Sequence, residues 1–255
     1  ADPSSLGVGS GGIKGSWECV CPSSPTLRTM PAPRISHTCS MLEGIMYVFG
    51  GETMAGPGQP RAALNDLWSF TVATGKWKMI SANTGGGGRA DPRFPQPEPR
   101  FGHSQGLVNR CLYVFGGSID GDDAGGSLQN DVWEFNTETG LWDRIFEDSP
   151  FMYPEGRQYN SCVAAGHCLF VFGGMDAHSG VEHNDMWAFD VLAREWHKSS
   201  PSSVGKKSAA GSGSTTPSKR MMQSMVACGA SELYVFGGLA DGTFLADLHR
   251  YTVGS

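Results

Sequence analysis

One five-residue string, met four times, does most to limit what this chain can fold into. YVFGG begins at Tyr47, Tyr113 and Tyr234, and FVFGG begins at Phe170. The second glycines fall at 51, 117, 174 and 238, so the copies lie 66, 57 and 64 residues apart. Other pieces keep step with them. NDLWSF, NDVWEF and NDMWAF begin at Asn65, Asn130 and Asn184, and the fourth copy carries ADLHRY from Ala246, with His249 in place of tryptophan. In the first three copies a second tryptophan follows nine residues later, Trp77 after Trp68, Trp142 after Trp133 and Trp196 after Trp187. Upstream of each glycine pair stand PRISH from Pro33, PRFGH from Pro99, GRQYN from Gly156 and KRMMQ from Lys219. Self-similarity at such a period marks an architecture in which each copy is one supersecondary unit.

Each copy holds four short apolar-rich runs separated by turn residues, which reads as four antiparallel strands. A lone four-stranded sheet leaves both faces uncovered, and stacking such sheets around an axis buries them. The VFGG run does not alternate, as suits an inner strand buried on both sides. Its glycines allow a positive-φ exit and close backbone approach. These pieces, in this order, resemble the kelch repeat, and the resemblance runs from Trp17 to Val253. It implies an all-β kelch-type β-propeller, here with four blades of four antiparallel strands. Six or seven blades are common among kelch relatives, so four is a departure. SWECV around Trp17 resembles a fourth strand met before any first strand, and LHRYTV near the other terminus resembles a third. The last blade is therefore expected to be closed by the N-terminal strand. Residues 1–15 read as a disordered or vector-derived lead-in and 16–255 as a single propeller domain. Its blades are expected at 34–81, 100–146, 157–199 and 220–253, the last completed by 16–21.

Composition agrees and excludes some functions. With 36 Gly, 15 Pro and only 17% charged residues, the chain suits short strands joined by turns. A net charge of −6 without a basic stripe argues against nucleic acid. No apolar run approaches the roughly 18 residues of a membrane-spanning helix, so a membrane is not an expected partner. Cys39 and Cys162, and likewise Cys111 and Cys168, occupy matching repeat positions, so the cysteines read as small core fillers. The seven cysteines are odd in number and spaced irregularly for a disulfide framework, which suits a reducing, cytoplasmic location.

Length variation identifies a candidate binding face. The loops from strand one to two and from strand three to four are short and share one face. Those from strand two to three (52–64, 118–129, 175–183, 239–245) and from blade to blade (81–98, 146–155, 199–218) are long and share the other. Loops on a rigid scaffold are where binding concentrates. Phe94, Phe151, Met152 and Tyr153 lie in these loops and either cover blade ends or anchor a partner.

Arg34, Arg100, Arg157 and Arg220 recur at the start of strand one. The kelch resemblance implies that arginines around this mouth can bind acidic peptides, since the guanidinium fork pairs with carboxylates. The alternative is an internal ion pair with the equally repeated Asp66, Asp131, Asp185 and Asp247. His37 and His103 are replaced by Asn160 and Gln223 in the later copies, which asks for a hydrogen bond rather than an imidazole. Asp120, Asp122 and Asp123 could approach a calcium ion, but the other ligands of a calcium loop are missing. Asp176, His178, Glu182 and His183 share one loop and are the remaining metal candidates. Enzymes do occur on related folds, such as galactose oxidase and nitrile-specifier proteins, but neither ligand pattern can be placed here. The chain thus reads as a non-enzymatic interaction scaffold with no cofactor and no metal, binding a protein or peptide on the long-loop face. The alternatives are a small-molecule or metal-dependent enzyme using the central mouth, and a regulatory module attached to other domains of a longer chain.

Overall fold

The computed structural model describes residues 19–20, 29–54, 56, 58, 60–82, 95–119, 127–146, 153–199 and 216–254. In chain order the first sheet contributes β1 (Thr38–Leu42) and β2 (Ile45–Phe49), then a ribbon of β3 (Glu52–Met54) and β4 (Arg61–Ala63), then β5 (Leu67–Thr71) and β6 (Lys76–Ser81). The second holds β7 (Ser104–Val108), β8 (Cys111–Phe115), β9 (Val132–Asn136) and β10 (Leu141–Phe146). The third holds β11 (Ser161–Ala165), β12 (Cys168–Phe172), β13 (Met186–Asp190) and β14 (Glu195–Ser199). The fourth holds β15 (Ser224–Cys228), β16 (Glu232–Ala240) and β17 (Thr243–Thr252). Every pairing is antiparallel between sequence neighbours, with only the β3–β4 ribbon inserted between β2 and β5. The sheets stand side by side through their first strands, β1 beside β7, β7 beside β11 and β11 beside β15. This is a four-bladed β-propeller.

The core lies between the blades. Phe49 and Leu67 of the first sheet meet Leu112, Val114 and Trp142 of the second. Phe115 and Val132 meet Leu169, Val171 and Trp196 of the third, and Phe170 and Phe172 meet Leu233 and Val235 of the fourth. In the second and third sheets the second strand is the most buried, with Leu112, Val114 and Val171 all at 0% exposure. That is why its sequence does not alternate.

Three junctions repeat one hydrogen-bond pattern. The N–H groups of Gly51, Gly117 and Gly174 donate to the carbonyls of Arg100, Arg157 and Arg220 at 2.9, 2.8 and 2.9 Å. Gly117 shows why glycine is needed there. Its φ is +91°, and a Cβ would sit 2.8 Å from both the Phe101 carbonyl oxygen and the His103 Cβ. The corresponding groups on the fourth and first sheets, those of Gly238 and Arg34, make no such bond. Among the described residues, nothing covers the faces at these two ends. Val226, Phe236 and Leu248 are 59%, 52% and 64% exposed on the fourth sheet, and Met41 is 52% exposed on the first. The expected closing strand centres on Trp17, which lies outside the described residues, while Cys19 and Val20 belong to no strand and are exposed.

The stretch 239–245, expected as a long loop, is instead a tight hairpin. Ala240 pairs with Thr243, and Asp241 and Gly242 make the turn with φ of 45° and 75°. Two successive positive-φ residues of the Asp-Gly type are what a two-residue hairpin turn requires.

Candidate functional site

The four repeated arginines are committed inside the scaffold. Each places Nη1 against one carboxylate oxygen and Nη2 against the other. The distances are 2.8 and 2.9 Å for Arg34–Asp66, 2.7 and 3.1 Å for Arg100–Asp131, 2.6 and 3.2 Å for Arg157–Asp185, and 2.6 and 2.8 Å for Arg220–Asp247. Nη1 also donates to the first glycine carbonyl of the pair, from 2.9 Å at Gly50 to 3.1 Å at Gly173. Nε donates to the carbonyl two residues back, as in Arg100 to Glu98 at 3.1 Å. Arg100, Arg157 and Arg220 are 0%, 1% and 0% exposed. A guanidinium used in this way offers an acidic peptide no free face.

The aspartates are held in turn by Trp68, Trp133 and Trp187, whose Nε1–H groups donate at 2.7 Å. His249 takes the same role in the fourth blade, its Nε2 lying 2.8 Å from Asp247. Burial pushes Asp185 up, but the hydrogen bond and charge of Arg157 outweigh it, and its carboxyl lies at about 2.

His103 and its counterparts are junction links. His103 Nε2 lies 2.8 Å from Thr38 Oγ1, Asn160 donates to Ser104 Oγ at 2.7 Å, and Gln223 donates to the Phe172 carbonyl at 2.7 Å. Each bond crosses to the preceding blade, so the position needs a hydrogen-bonding side chain of suitable reach.

The long-loop face carries an open groove of about 700 Å³ between the second and third blades. Among the described residues, three separate segments line it. Ser127 and Leu128 come from the β8–β9 loop, Glu155 and Gly156 from the blade connection, and Asp176 and His178 from the β12–β13 loop. Gly156 lets two of these segments touch, since a Cβ there would lie 2.7 Å from the Leu128 carbonyl oxygen. Asp176 folds its own loop, accepting from the His178 N–H at 2.8 Å and from Ser179 Oγ at 2.8 Å. Burial pushes its carboxyl up, yet these donors hold it below the usual range.

Asp176 and His178 are thus brought together, while Leu128, Glu155 and Gly156 were not expected. Tyr153 packs on Phe146, with ring centroids 6.0 Å apart, and joins the core between blades two and three. Asp120, Phe94 and Phe151 lie outside the described residues. The metal candidates at 176–183 do not gather: Glu182 instead accepts the Asp241 N–H at 3.2 Å. Among the described residues, the three-donor cluster lies at the opposite face, at His167, Cys168 and Asp190.

Fold and repeat chemistry define a kelch-type propeller, and comparison with known proteins agrees. The KLHDC2/KLHL20/DRC7 Kelch-repeats domain model matches residues 15–215. The chain belongs to this kelch-repeat family. It is 30% identical over 247 residues to the leucine-zipper-like transcriptional regulator 1 homolog of Drosophila melanogaster, covering 94% of this chain and 22% of that protein. It is 28% identical over 181 residues to human (Homo sapiens) Kelch domain-containing protein 3, covering 69% of this chain and 43% of that one. Host cell factor 1 of Rattus norvegicus is 29% identical over 208 residues, 76% of this chain and 9% of its own length. The chain therefore spans less than half the length of these relatives.

Proposed function

We propose that this chain is a protein-interaction module, not an enzyme, whose partner docks on the long-loop face with the groove between blades two and three at its centre. The groove itself carries the reading: three loops of unlike sequence converge there, on the face where loop length varies, while the repeated residues are spent on the scaffold. Its chemistry favours an extended peptide with a basic residue beside an apolar one. Glu155 and Asp176 supply the charge, and Leu128 supplies the apolar contact. The relatives are much longer than the region they share with this chain, which supports a kelch module serving a larger protein. A reducing location such as the cytoplasm suits the six described cysteines, all of them free.

Fluorescence polarisation with lysine-rich, acidic and neutral peptide pools tests the reading. The lysine-rich pool should bind best. Glu155→Lys should weaken it about tenfold, the size of one lost charge contact in a groove. Glu138→Lys, on the short-loop face, should leave it unchanged. Equal binding in both variants would remove the groove from consideration, and preference for the acidic pool would overturn the charge argument.

A further inference from the structure

The turn joining β11 to β12 and the end of β13 bring three kinds of metal donor to one point. His167 closes the turn, Cys168 opens β12, and Asp190 ends β13 directly opposite Cys168 in the ladder. The imidazole nitrogen, thiol sulfur and carboxylate oxygen all lie within 4.8 Å of one another. His167 Nε2 stands 3.3 Å from Asp190 Oδ2. Two ligands on a tetrahedral zinc ion, each at about 2.0–2.1 Å, stand about 3.3 Å apart.

The surroundings hold the donors in position. Asp190 Oδ1 accepts the N–H groups of Leu192 and Ala193 at 2.8 and 3.0 Å, which leaves Oδ2 turned toward His167. Such backing of a ligand carboxylate is typical of metal sites. The His167 backbone is fixed as well, its carbonyl accepting the Val191 N–H at 3.2 Å. The His167 side chain is 56% exposed, so an ion has a path in.

The fold does not need these residue types here. In the second blade the same places hold Arg110, Cys111 and Asn136. Asn136 Oδ1 caps the same turn through Glu138 and Thr139 at 2.9 and 3.0 Å, without a charge. In the first blade the places hold Gly44, Ile45 and Thr71. The carboxylate and the imidazole of the third blade are additions to a turn that forms without them.

We propose that His167, Cys168 and Asp190 form a zinc-type divalent-cation site on the short-loop face, with three protein ligands and a fourth position open to solvent. A thiolate with an imidazole and a single carboxylate selects a zinc-like ion over calcium or magnesium, which take several oxygen ligands. Binding releases the Cys168 thiol proton to solvent, and the ion bridges two strands of one blade. The site faces away from the peptide groove and is independent of it.

Cobalt(II) titration of the reduced, metal-free chain tests the proposal, because a cobalt–thiolate bond has its own charge-transfer absorption. One equivalent should produce that band together with tetrahedral ligand-field bands, and zinc should displace the cobalt. Cys168→Ser should abolish the charge-transfer band. Asp190→Asn, which keeps the turn as Asn136 does, should weaken cobalt binding about tenfold or more while the circular dichroism stays unchanged. Absence of the band in the parent chain overturns the proposal. So does a band that survives Cys168→Ser, which would belong to an exposed thiol such as Cys19, Cys39 or Cys228, or wild-type affinity in Asp190→Asn.

Discussion

His103 shows how far one side chain's chemistry is set by its place in the stack. It is 4% exposed, linked to Thr38 and packed edge-on against Phe49 at 5.3 Å between ring centroids. Burial first, then the charges of Arg100 and His37, push it down to about 3. An unfolded histidine titrates near 6.5. The folded value is the lower one, so the unfolded chain binds the extra proton. The stability this position contributes is therefore complete above about pH 6.5 and is lost as pH falls from there toward 3, at up to about 1.4 kcal/mol per pH unit. Gln223 fills the equivalent place in the fourth blade without a titrating group, so His103→Gln should keep the fold. Urea unfolding at pH 7 and pH 5 should show a smaller loss of stability in the variant than in the parent. His37 and His183 are pushed down too, chiefly by burial, but they are common to both proteins and cancel in the comparison. Identical losses would mean that His103 is not buried neutral at the junction.

At the scale of elements, what could be read from sequence was what every copy needs. The glycine pair, the Arg–Asp pairing and the histidine, asparagine or glutamine link recur because each blade must repeat the same junction. The groove has no period. Leu128, Glu155 and Asp176 come from three unlike loops, and only the loop lengths pointed to the face they share. Cys168 was hidden differently: matching Cys111 made it look like a core filler, and its neighbours His167 and Asp190 meet only once the hairpin has folded. The β16–β17 hairpin was missed because the Asp241-Gly242 signal lies inside a stretch that is a long loop in the other copies. The two kinds of glycine can be told apart by measurement. Gly140 and Gly117 both have positive φ, 72° and 91°, but a Cβ at Gly140 meets nothing within 4 Å. Gly140→Ala should cost about 1 kcal/mol of left-handed strain. Gly117→Ala adds backbone clashes that a blade junction must open to relieve, and should cost at least about 3 kcal/mol. Denaturant midpoints with unchanged slopes would check both, and equal costs would remove the close-approach argument.

For the whole molecule, the cost of a substitution should depend on which blade carries it. Where two blades meet, each covers the other's face, while among the described residues the outer faces of the first and fourth blades meet no neighbour. The aromatic residue of the VFGG strand samples this directly. Phe49, Phe115 and Phe172 are 0%, 1% and 2% exposed, whereas Phe236, at the same repeat position and in the same strand pairing, is 52% exposed. Leu67 and Leu248 differ in the same way, at 0% and 64%. Phe115→Ala should therefore cost about 3–5 kcal/mol through lost burial and the cavity left between blades two and three. Phe236→Ala removes a ring that the fold leaves half in water, and should cost less than about 1 kcal/mol. Equilibrium denaturation of the two variants under one condition checks the contrast. If Phe236→Ala proves as costly as Phe115→Ala, the outer face of the fourth blade is covered in solution and the stack is longer, or more nearly closed, than the three junctions among the described residues make it.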